Sequence, residues 1–237
     1  MQKKHKILIG VGAGVLALGA VGALVGPSIY RDFIAAPAAD VPSVDRPTDA
    51  PADGPSGALD PAALVGDWSV TSGSEAGYRV DEVLNGTDVT VTGRTQDVTG
   101  TFTVGEDGLT LTAAELAVDV ASIETDSAQR DAYFRDQAMR ANEFPQAMFT
   151  LTEPVQLTET PEAGETVQAS ATGELTIAGK TQTVTVEVEL RSDGTTAELA
   201  GSIPITFADF GVTAPNLGFV SVEPEGFVEF QLVAGRG

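Results

Sequence analysis

Leu175-Thr-Ile-Ala-Gly-Lys-Thr-Gln-Thr-Val-Thr-Val-Glu-Val-Glu-Leu190 spells out a strand, a tight turn and a second strand. After the Ala178-Gly179-Lys180 turn, Val184, Val186, Val188 and Leu190 alternate with Thr183, Thr185, Glu187 and Glu189. A period of two puts the apolar residues on one face and the polar ones on the other, the pattern of a sheet with one wet side. The valine row therefore needs an apolar cover.

The rest of the chain repeats this rhythm. Short runs of Val, Thr, Leu and Phe recur between Gly and Asp at about 78–84, 88–94, 97–104, 108–121, 147–157, 166–178, 182–191, 196–207 and 226–234. Many short strands at such spacing make an all-β sandwich or barrel. Only Ser127 to Asn142, rich in Arg, Asp, Ala and Gln, breaks the rhythm, and it ends before Phe144-Pro145 as a helix does when proline follows. Arg130, Phe134 and Ala138 share one side of that helix, with Tyr133 and Ala141 on adjoining rows. The flank so formed is apolar and aromatic, and it is expected to rest on the sheet.

The front of the chain reads differently. Ile7 to Tyr30 contains no charged residue and follows Lys3, Lys4, His5 and Lys6. At about 1.5 Å per residue that run spans a bilayer core of about 30 Å, and the preceding lysines orient the N-terminus to the cytoplasm. A cleaved signal peptide, which would leave the domain secreted, shares the basic start but has a shorter apolar core of roughly 7–15 residues. Ala, Pro, Asp and Gly dominate the stretch that follows, a linker composition. The division expected is therefore 1–31 as basic tip and transmembrane anchor, 32–64 as a disordered tether, and 65–237 as an extracytoplasmic domain.

Charge and composition exclude several classes of function. Residues 65–237 carry eight Lys and Arg against 28 Asp and Glu, so nucleic acid and anionic headgroups are poor partners. The absence of cysteine rules out disulfides and thiol chemistry. The one histidine, His5, precedes the apolar run, which leaves the folded domain without a Ser-His pair or an imidazole metal ligand. No phosphate-cradling loop, dinucleotide fingerprint or calcium loop occurs, and no cofactor is implied. A two-carboxylate hydrolase needs only a pair of acids, and Asp126, Asp131 and Asp136 lie around the helix. Nothing in their spacing marks them as such a pair.

Several landmarks in fixed order identify a resemblance that covers roughly Trp68 to Leu232. They are Trp68 to Val70, Tyr78-Arg-Val80, Gly93-Arg-Thr, Val98-Thr-Gly-Thr-Phe102, Arg130-Asp131, Phe144-Pro145 leading to Phe149, the Leu175 hairpin and Asp209-Phe-Gly211. In these the chain resembles the YceI-like family of polyisoprenoid-binding proteins. One departure is that many relatives place a histidine in the first hairpin, where this chain reads Ser72-Gly-Ser-Glu-Ala-Gly-Tyr78. The resemblance implies an eight-stranded antiparallel, lipocalin-like barrel with one helix beside it, whose tunnel holds an isoprenoid chain. Barrels of this size either fill their interior or keep room for one ligand, and patterning alone leaves both open.

If the tunnel is open, Phe134, Met139, Phe144, Met148 and Phe149 are suitable wall material near the helix, joined by Tyr133. Tyr78, Phe102, Ile177, Val186, Phe207 and Phe227 are further lining candidates as large apolar residues on strands. The expected ligand is a long-chain isoprenoid or related amphiphile. The rival from another class is a side-chain-filled barrel that docks an unidentified envelope protein. Protease added to intact spheroplasts is expected to remove residues beyond Tyr30. Protection of the domain would overturn this orientation, and full-length release trimmed near Ala36 would favour the cleaved signal peptide.

Overall fold

The computed structural model describes residues 37–44, 57–84 and 86–237. The proposed span Ile7 to Tyr30 lies outside the described residues, among which no helix is long and apolar enough to cross a membrane.

Eleven strands form one antiparallel sheet: β1 (Gly66–Val70), β2 (Glu75–Leu84), β3 (Thr87–Thr95), β4 (Val98–Val104), β5 (Thr110–Asp119), β6 (Gln146–Leu151), β7 (Val155–Gln156), β8 (Thr166–Ile177), β9 (Lys180–Ser192), β10 (Thr196–Thr206) and β11 (Val220–Arg236). Eight of them close a barrel in the order β1-β4-β5-β6-β8-β9-β10-β11, because β11 pairs back onto β1 through Trp68↔Arg236 to Val70↔Ala234. The β2–β3 hairpin continues the wall from the earlier part of β11, where Gly226↔Val80 to Gln231↔Glu75 pair beyond a bulge at residues 223–225. Two buried apolar clusters brace the wall, one around Trp68, Phe102 and Leu232, the other around Leu175, Val186, Ile203 and Phe210.

The Leu175 hairpin turns on two residues rather than three. Ile177 pairs with Lys180, and Ala178 and Gly179 both take positive φ, 48° and 75°, as a type I′ turn requires. Beyond it Val186 is buried at 3% exposure while Thr183, Thr185 and Glu187 are exposed. Glu189 departs from the solvated role expected of it, since its carboxylate accepts the Val44 N–H at 3.1 Å.

That contact belongs to a larger correction. The stretch 37–44 falls within the expected tether, yet it lies along the outside of the barrel. Ala39 N–H donates to Thr92 Oγ1 at 3.1 Å, Arg79 donates to the Ala39 carbonyl at 2.6 Å, and Val44 is buried at 2%. Residues 57–64 are likewise held against the domain, ahead of the expected boundary. Leu59 N–H donates to the Pro161 carbonyl, and the short helix α1 (Pro61–Leu64) is capped by Asp60. Pro and Ala here supply extended, preorganised backbone whose hydrogen-bonding groups the barrel satisfies, an outcome that composition alone does not signal.

The helix is also shorter than expected. Instead of running from Ser127 to Asn142, it is α2 (Ala128–Tyr133) followed by a π-turn, Phe134–Ala138, closed by Met139 N–H donating to the Phe134 carbonyl. Arg140, at φ 51°, ends it. Replacing Val186 with Asp is expected to unfold the domain, because an unpaired carboxylate buried there costs several kcal/mol. Glu187→Lys should shift stability by no more than about 0.5 kcal/mol. Urea unfolding of both variants checks the register, and the opposite ranking would refute it.

Candidate functional site

The barrel is not filled. Two cavities of about 210 Å³ and about 420 Å³ lie end to end inside it, with Ala76, Val118, Ala147 and Val228 lining both. The smaller is walled by Trp68, Phe102, Leu116, Phe149, Leu175, Val186 and Leu232 among others, almost entirely apolar. Trp68 forms part of its wall, fixed by a 2.9 Å bond from its indole N–H to the Leu64 carbonyl and flanked by the Arg236 guanidinium 5.7 Å from its ring centre. The larger cavity lies under the helix and reaches an apolar rim, where Leu217 and Phe219 are 58% and 57% exposed and Tyr133 is 38% exposed.

Sequence and local structure together explain how the helix end of the tunnel is built. On β2 the inward positions are Ala76, Tyr78, Val80, Glu82 and Leu84, all of which line the cavities. Tyr78 lies across β3 at Gly93, where an added Cβ would come within 2.5 Å of its ring and 2.9 Å of Ile123. Glycine is thus needed there for space, not for backbone freedom. On the other side Phe134 stacks on Tyr78 with ring centres 4.7 Å apart and planes inclined by 19°. The wider π-turn brings Phe134, Ala138 and Met139 all onto the cavity wall. The aromatic flank expected to rest on the sheet therefore lines a space, and no residue of α2 is fully buried.

One charged cluster borders this space. Glu82, 5% exposed, meets Arg130 with Nη2 to Oε1 at 3.2 Å, and Arg130 also donates to Asp126 at 2.5 Å and to Thr125 Oγ1 at 3.3 Å. Burial works against the Arg130 charge, but Glu82 and Asp126 outweigh it and hold its pKa above the ordinary arginine value. Burial likewise pushes the Tyr78 phenol well above its usual range, with Arg130 pulling it partly back. The three acids near the helix each have a partner: Asp126 has Arg130, Asp131 accepts from Thr125, and Asp136 accepts from Arg135.

Of the lining candidates, Phe102, Met148, Phe149 and Val186 border the smaller cavity, and Tyr78, Tyr133, Phe134, Met139, Ile177 and Phe207 border the larger. Phe144 and Phe227 border neither. Phe144 packs its ring against Gly179 beneath the Arg140 guanidinium, 4.7 Å away, and so pins the turn after the helix to the Leu175 hairpin. Phe227 pairs with Arg79 and Pro204, one position out of step with the inward Val228, and is 41% exposed. Its size suits a wall, but its parity on β11 turns it outward. Glu82 was missed, although the same alternation places it inward with Tyr78 and Val80, and a carboxylate on an inward face is a readable signal. The rim residues Leu217 and Phe219 carried no periodic signal.

Comparison with known proteins agrees with this architecture. A model of the YceI-like domain matches residues 68–234. The proteins called YceI from Salmonella arizonae and Salmonella newport are 30% identical over 140 residues, which is 56% of this chain and 69% of theirs. A polyisoprenoid binding domain from Saccharophagus degradans superposes with a TM-score of 0.59 at 18% identity, covering 72% of this chain and 98% of that one. BcnA of Burkholderia cenocepacia superposes at 0.51 with 23% identity, covering 66% and 95%.

Gly93→Ala is expected to destabilise the domain by about 1–3 kcal/mol by forcing Tyr78 aside. In a Tyr78→Ala background most of that cost should vanish, and a double-mutant cycle from urea unfolding reads the coupling. Equal costs in both backgrounds would mean that the ring does not occupy the space above Gly93.

Proposed function

The chain belongs to the YceI-like family, and on that premise we propose that it is an extracytoplasmic binding protein that holds a polyisoprenoid or similar long apolar lipid in its barrel. Ile7 to Tyr30 tethers it to the membrane, and its work is transport, storage or protection rather than bond-breaking. The observation that carries this reading is the pair of abutting apolar cavities within a closed barrel. Their combined size falls in the range of roughly 300–1,000 Å³ typical of small-molecule sites. Each methylene taken from water contributes about 0.8 kcal/mol, so a few isoprene units give ample affinity without a charged contact. The rival reading, a side-chain-filled barrel acting only as an interaction module, sits poorly with so much unfilled interior.

Mass spectrometry of organic extracts from the purified protein should recover a stoichiometric isoprenoid lipid. Phe134→Ala should lower that occupancy together with a stability loss of a few kcal/mol, and Phe134→Trp should shift the bound population to shorter chains. A protein that carries no lipid, and takes none up when offered, would leave the interaction module as the better reading. Unchanged lipid content in both Phe134 variants would remove the helix from the ligand wall.

A further inference from the structure

The two cavities differ in chemistry, and the difference gives the tunnel a direction. The smaller one is apolar over nearly its whole surface, whereas the larger holds Tyr78, Glu82 and Arg130 on one wall. A long amphiphile laid through both places its tail toward Trp68 and its polar end under the helix.

The charges there decide which polar end fits. Among the described residues Arg130 is the one cation bordering the larger cavity, and it is already engaged by two carboxylates, Glu82 and Asp126. The trio therefore carries a net negative charge. A phosphate or diphosphate would meet that charge in a partly desolvated site, with no unengaged cation among the described lining residues to receive it. The Tyr78 hydroxyl, by contrast, has no hydrogen-bond partner among the described residues, although the ring is held firmly between Gly93 and Phe134. A phenol is protonated at neutral pH, and burial moves this one further from ionising, so it stands as a donor toward the cavity.

Building on the lipid-binding reading, we propose that the larger cavity is a head-group site that selects an uncharged, oxygen-bearing head, an alcohol or a carbonyl, through a hydrogen bond from Tyr78, and rejects phosphorylated heads through the Glu82–Arg130–Asp126 cluster. The neutral head is held because its oxygen accepts from a donor that lines the cavity and that the described residues leave unpaired, and the charged one is refused because its desolvation is not compensated. Discrimination thus rests on the head while affinity rests on the tail.

The test offers the full chain three probes of one tail length: a C20 prenyl alcohol, its diphosphate, and the matching hydrocarbon. The alcohol should bind roughly three- to ten-fold tighter than the hydrocarbon, the worth of one hydrogen bond. The diphosphate should bind at least about ten-fold more weakly than the alcohol at low ionic strength, and added salt should narrow that gap. Tyr78→Phe, which keeps the stacked ring, should bring the alcohol-to-hydrocarbon ratio close to one. Glu82→Gln should raise diphosphate affinity relative to the alcohol, because it removes one of the two carboxylates from the trio.

Equal binding of alcohol and diphosphate would overturn the proposal, as would an alcohol preference that survives Tyr78→Phe. Either result leaves lipid binding itself intact. Failure of all three probes to bind would instead overturn the lipid-binding reading, and the head-group site with it.

Discussion

Everything in this barrel hangs on β11. One edge of this strand pairs with β10 from Thr196 to Thr206, and the other edge is shared, first with β2 and then with β1. Both the hairpin wall under the helix and the closure at Trp68 therefore depend on one strand staying in register. Glu229 sits at its middle on the outer face, 1% exposed, gripped by Arg79 at 2.7 Å and by Arg94. Removing either arginine would leave a desolvated carboxylate half-paired, so this trio penalises any slip of β11 against β2 and β3. The docked 37–44 stretch adds to this hold, since Arg79 also donates to the Ala39 carbonyl.

The fold was legible because closure imposes a strict inside and outside on every strand. Val184 to Leu190 announces its buried face by simple alternation, and the same logic correctly sets Val186 inward and Glu187 outward. What alternation does not encode is how strands of unequal length share partners. The 17 residues of β11, with a bulge at 223–225, read in the sequence only as a short strand at 226–234. A bulge breaks the period of two, and Glu223-Pro-Glu225 looks like a stop.

The site was legible in its apolar part and obscure in its polar part, for physical reasons. Large apolar residues on strands fall inside a barrel half the time by chance and more often when the parity is right, which is why Phe149 and Val186 border the smaller cavity and Phe227 borders neither. The Glu82–Arg130 pair joins residues 48 positions apart, and no local pattern announces such a contact. The π-turn was equally hidden. Its sequence, Phe-Arg-Asp-Gln-Ala, is ordinary helix, and the widened turn is dictated by the wall it has to complete rather than by propensity.

An open interior requires small side chains at inward positions of a wall that would otherwise close on itself. Ala76, Ala114, Ala147, Ala169, Ala171 and Ala197 all line the smaller cavity, contributed by five different strands of the wall. An eight-stranded barrel of Val and Leu at those positions has just enough room to be filled. With alanine at each, the backbone hydrogen bonds remain complete and the cost of the void is confined to lost dispersion contacts at the wall, which an apolar guest restores. The tunnel is thus written as an excess of inward alanine on otherwise bulky strands, and the same substitution pattern that lowers the packing of the empty barrel is what gives a long apolar chain somewhere to go.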